Sequence, residues 1–145
     1  MRRMKSVAGT TSVDLSIPVR ADLVVLARLA AATLASRVGF GVEDIEDLRL
    51  AVEELCLSVV GSGDDDGRLH LNYECEGDAI TVTCRYEADR APSGARLGAS
   101  DDLSLRILDA LVDDHGHELR DHRPSAWLSK RRSDAPRLRR DAGAS

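Results

Sequence analysis

The chain has 145 residues, a formal net charge of −5, and 43% hydrophobic but only 3% aromatic residues. That length fits one domain with a core of its own, built from Leu, Val, Ile and Ala. The acidic balance argues against direct nucleic-acid binding, the scarcity of rings leaves few platforms for stacked bases, and no run approaches the roughly 20 apolar residues that span a bilayer.

Arg2, Arg3 and Lys5 are not followed by the apolar core of a signal peptide, so a cytoplasmic protein is expected. Residues 1–10 read as a disordered leader, 11–132 as one domain and 133–145 as a disordered tail carrying arginines. Val13, Leu15 and Ile17 alternate with polar residues and predict a strand that Pro18 closes. Asp22 is placed to cap a buried helix, Leu23 to Val38, rich in Ala and Leu. Gly39 and Gly41 break the chain before a second, longer helix that runs toward Gly61. In it Ile45, Leu48, Val52, Leu55 and Val59 form one apolar stripe. Asp47, Ala51, Glu54 and Ser58 line another face, from which a carboxylate and a hydroxyl four residues apart project together.

Asp64, Asp65 and Asp66 lie in a Gly-rich acidic loop, read as a solvated turn ahead of a divalent-cation loop because calcium-loop spacing is missing. Two alternating runs, Leu69 to Cys75 and Ile80 to Tyr86, flank Glu76-Gly-Asp78 and predict a hairpin. If Cys75 faces Ile80 across it, Cys84 faces Leu71 and the two cysteines are not partners. With Cys56 they read as buried small apolar residues rather than redox or metal groups. Residues 87–100 form a loop long enough to be a lid. Ser100, Asp101 and Asp102 then start a helix, Leu103 to Val112, with Leu103, Ile107, Leu108 and Leu111 as its buried face. A strand over Glu118 to Asp121, a turn at Arg123-Pro124-Ser125 and a strand from Ala126 to Arg131 close the domain. The element order suggests an α+β two-layer sandwich, with helices on one face of a mostly antiparallel sheet.

No serine sits in a Gly-x-Ser-x-Gly elbow, and neither a Walker loop nor Gly-x-Gly-x-x-Gly occurs. His115-Gly-His117 reads as a polar helix-to-strand connection, ahead of a metal site completed by Asp113, Asp114 or Glu118.

Three stretches carry a family likeness: Ile17-Pro18, Asp47-Leu-Arg-Leu-Ala-Val-Glu-Glu54 and Leu105-Arg-Ile-Leu-Asp-Ala-Leu-Val-Asp-Asp114. From about Val13 to Arg131 the chain resembles anti-sigma factors of the serine-protein-kinase type, nearest their actinobacterial members, within the histidine-kinase-like (GHKL) ATPase superfamily. The resemblance implies the Bergerat fold: a mixed, mostly antiparallel sheet with three helices on one face. It implies ATP and Mg²⁺ as cofactors. Glu54 falls on the family's base, and Ser58 on the asparagine that holds Mg²⁺. Asp89 stands at the adenine-recognising aspartate, Ala91 and Gly94 at glycines that admit the nucleotide, and Gly98 in the glycine-rich lid. Ser58 is shorter than asparagine and lacks its carbonyl, Ala91 adds a methyl group, and Asp101 and Asp102 put negative charge where a helix start would meet phosphate.

The resemblance therefore implies a regulator of transcription in stress response. It would act by partner switching between a sigma factor and an anti-anti-sigma (STAS-type) protein, with weak or absent ATP turnover. The alternative is an active ATP-dependent serine-protein kinase that phosphorylates the anti-anti-sigma antagonist, with Glu54 as base, Ser58 as metal ligand and Asp89 on adenine. A third reading is a stand-alone dimeric adaptor. A homodimer belongs to the family's habits.

Overall fold

The computed structural model describes residues 10–60, 67–87, 102–120 and 123–133. The expected acidic loop, the proposed lid with Asp89, Ala91, Gly94 and Gly98, the cap residues Ser100 and Asp101, and most of the expected leader and tail lie outside these. Thr10 already belongs to the first strand.

The elements run β1 (Thr10–Pro18), α1 (Val24–Val38), α2 (Val42–Val60), β2 (Arg68–Glu76), β3 (Ala79–Glu87), α3 (Asp102–Leu111), β4 (Asp114–Arg120) and β5 (Arg123–Arg131). The strands form one sheet in the order β1-β2-β3-β5-β4. Every pairing among the described residues is antiparallel. This is the α+β architecture expected from the element order. The alternation of β2 and β3 fixes their register, because a slip of one residue would turn each apolar side chain to the wrong face. Cys75 pairs with Ile80 and Leu71 with Cys84. All three cysteines are free and buried. Gly77 opens the two-residue turn at φ 63°, a left-handed conformation that a side chain would resist.

The helices pack α1 against α2, α2 over β3 and β5, and α3 beside α2. The stripe read in α2 is its core face: Leu48, Val52 and Leu55 are fully buried and Val59 nearly so, with Ile45 partly buried at the margin. Each such leucine or valine contributes about 1.5–3 kcal/mol on leaving water. From the sheet they meet a layer that includes Leu71, Tyr73, Ile80, Val82, Cys84, Ala126 and Leu128. Tyr73 donates its hydroxyl to the Ala27 carbonyl at 2.8 Å, tying sheet to α1. Burial chiefly, with the neighbouring thiols of Cys56 and Cys84, holds that phenol far above its ordinary range. Gly39 ends α1 at φ 101°, its N–H reaching the Ala35 and Ser36 carbonyls.

Several local expectations are corrected. Asp22 does not cap α1: a 3-10 turn, Ala21–Leu23, intervenes, and Asp22 instead faces Arg20 at 3.4 Å. Leu103 is 64% exposed, because α3 turns Ser104 and Leu108, one helical turn apart, toward the core. The last hairpin is longer than its apolar pattern. β4 begins at Asp114, so His115-Gly-His117 lies within a strand and not in a connection, and Arg123, Pro124 and Ser125 belong to β5. Pro124 is tolerated because it stands second in its strand, beyond the Arg85↔Ser125 pair that ends the ladder with β3. Gly116 lies under Trp127, where a Cβ would come 2.6 Å from the indole nitrogen.

Candidate functional site

Glu54 and Ser58 stand one turn apart on α2, on the side that faces α3 and β4. The row they belong to is not a plain solvent face, since Ala51 within it is fully buried. Glu54 Oε2 accepts a 2.7 Å hydrogen bond from Ser104 Oγ of α3. Ser104 is itself 7% exposed, so this bond satisfies a buried hydroxyl as well as the carboxylate. Ser58 Oγ donates to the Leu55 carbonyl at 2.7 Å and lies 2.9 Å from Nε2 of His117 on β4.

A serine has one hydroxyl hydrogen. The shorter bond, to Leu55, assigns it there, which makes Ser58 the acceptor from His117 and assigns the imidazole hydrogen to Nε2. Burial chiefly, and then the neighbouring His115, lower the pKa of His117 from its ordinary 6.5, which keeps the ring neutral at pH 7. His115 lies two residues along the same strand and bonds Asp109 of α3 through Nε2 at 2.7 Å. The α2–α3–β4 corner is therefore closed by three side-chain contacts: Glu54 with Ser104, Ser58 with His117, and His115 with Asp109.

Among the described residues the donors beside Ser58 do not suit a magnesium ion, which takes oxygen ligands in near-octahedral array and dehydrates reluctantly. Ser58 is bonded as donor and as acceptor, His117 offers nitrogen, and one Glu54 oxygen is engaged. Two of the three acids that could complete a metal site beside the histidines bond backbone instead: Asp113 accepts from the Arg131 amide at 2.6 Å and Asp114 from the His115 amide at 3.0 Å. Among the described residues no three His, Cys, Asp or Glu side chains are grouped as a metal ion requires.

Of the residues that the family likeness assigns to chemistry, Glu54 and Ser58 are brought together, and Asp89, Ala91, Gly94 and Gly98 lie outside the described residues. Ser104 and Asp109 of α3 and His117 of β4, residues to which the likeness gives no role, join the site. The period-two placing of His115 and His117 is the signal that points to a strand with both rings on one face. Nothing in the sequence pairs Ser104 with Glu54 across 50 positions.

A helix-backed antiparallel sheet whose long second helix presents Glu54 toward a third helix defines the class, and comparison with known families agrees. Residues 17–130 match the model of the histidine kinase-like ATPase domain, and the chain belongs to that family. Among characterised proteins it is similar to the serine-protein kinase RsbW of Listeria monocytogenes serotype 4a (strain HCC23), 37% identical over 122 residues that cover 70% of this chain and 76% of the kinase. It is also similar to the serine-protein kinase RsbW of Bacillus cereus (strain G9842), 33% identical over 92 residues. That match covers 63% of this chain but only 52% of the kinase, so the chain spans about half the length of this second relative. The superfamily and the serine-protein-kinase likeness read from the sequence are thereby borne out. Among the described residues no helix is long and apolar enough to cross a membrane.

Proposed function

We infer that the chain is an anti-sigma-factor-like regulator that works by partner switching, binding a sigma factor or an anti-anti-sigma (STAS-type) protein, with weak or absent ATP turnover. The family membership and the likeness to the RsbW kinases support the regulatory setting. The observation that carries the low turnover is the state of Glu54 and Ser58, both held by side chains of the fold at the positions where the family likeness puts base and metal ligand. Phosphoryl transfer depends on positioning and on neutralising phosphate charge. A hydroxyl bonded both ways contributes neither. The net charge of −5 suits a basic partner segment, which would be steered toward the surface before docking.

The test is capture on the immobilised chain from an extract of its host, with mass-spectrometric identification and competition. The regulator reading predicts a sigma factor and a STAS-type protein among the captured species, each displacing the other. Capture of neither would contradict it.

A further inference from the structure

We propose that His117 stands at Ser58 where a cation would otherwise stand, so that nucleotide bound against this face of α2 is bound independently of magnesium. The inference deepens the low-turnover reading, on which it rests in taking this face as the nucleotide side, by naming the residue that replaces the metal.

The first support is the bonding capacity of one oxygen. Ser58 gives its hydrogen to the Leu55 carbonyl at 2.7 Å, and its oxygen receives the imidazole N–H of His117 at 2.9 Å. A magnesium ion would need that oxygen at about 2.1 Å, and would meet an N–H dipole already turned toward the same atom with its positive end. Binding the ion means breaking the bond and leaving a partly buried imidazole without its acceptor.

The second support is that His117 has little freedom to withdraw. Its strand is laddered to β5, with His117 opposite Ala126. Two residues earlier His115 is bonded to Asp109 of α3 at 2.7 Å, and Gly116 between them sits so close beneath Trp127 that no Cβ would fit. The ring is thus held through its own strand, and its donor is fixed before any ligand arrives. The third support is size. A hydroxyl fills the gap between α2 and the imidazole, whereas an asparagine at position 58 would extend two further heavy atoms into the ring. Residues 58 and 117 form a matched pair.

The experiment is calorimetric titration of ATP into the full chain, once with excess Mg²⁺ and once with EDTA, for wild type, Ser58→Asn and Ser58→Asn/His117→Ala. The wild type is expected to bind in both buffers with dissociation constants equal within about twofold, and no heat in either buffer overturns the proposal. The double variant is expected to bind at least about tenfold more tightly with Mg²⁺, a gain of about 1.4 kcal/mol. Wild-type affinity that rises tenfold or more with Mg²⁺ overturns the proposal, as does a folded double variant that gains no magnesium dependence. Should the double variant fail to fold, the ¹⁵N imidazole spectrum of the wild type decides. An unchanged Nε2–H form of His117 in ATP with saturating Mg²⁺ supports the proposal, and loss of that form on adding Mg²⁺ overturns it. Any of these overturning results leaves the partner-capture experiment free to succeed, so the two readings fail separately.

Discussion

The fold disfavours the charged form of His117. Its pKa is lowered by burial and by His115, so between that lowered value and the ordinary 6.5 the unfolded chain binds more protons than the native one. Stability then rises with pH across this window. His117's contribution is fully present above about 6.5 and is lost as pH falls toward the native pKa. Urea unfolding from pH 8 to pH 5 should show the wild type losing stability below about pH 6.5, and His117→Gln, which cannot ionise, losing less. Equal slopes in the two proteins would contradict the assignment.

The ends of the helices are fixed by side chains from other elements more than by caps of their own. Lys130 of β5 donates to the carbonyl of Leu111, at the end of α3, at 2.8 Å, where a cation also suits the helix dipole. Its ammonium lies 3.7 Å from Asp44 in the first turn of α2, with side chains 10% and 12% exposed. The Asp44 carboxylate also receives the Ser133 amide at 2.9 Å, where the chain leaves the sheet. One buried lysine therefore joins the start of α2, the end of α3 and the last strand. Lys130→Met should cost roughly 3 kcal/mol in urea unfolding, because it takes a buried cation away from the Asp44 carboxylate and a donor away from the Leu111 carbonyl. Arg131→Met, next along the strand but with its Asp78 pair exposed, should cost at most about 0.5 kcal/mol.

At the scale of the whole molecule, the sequence is legible wherever local periodicity decides the structure. The α2 stripe must face a core because five apolar residues at three- and four-residue spacing leave one face dry, and strict alternation about a glycine turn dictates the β2–β3 register. Local signals mislead where a neighbour in space overrides them. Asp22 has the chemistry of a cap but falls inside a 3-10 turn. Leu103 has the chemistry of a core residue but stands off the Ser104–Leu108 line that α3 presents to α2. The candidate site is half legible: Glu54 and Ser58 share a face by helical spacing alone. Their partners Ser104 and His117 are 50 and 59 residues away, and only the packing of α3 and β4 brings them in.

If turnover is weak or absent, as proposed, Glu54 and Ser58 serve the packing of α2 against α3 and β4 rather than phosphoryl transfer. The most direct test is single-turnover transfer from γ-labelled ATP with Mg²⁺ to the STAS-type protein captured by the chain, run beside Glu54→Gln. At most slow, substoichiometric labelling of the partner is expected. Rapid stoichiometric labelling that vanishes with Glu54→Gln would contradict it.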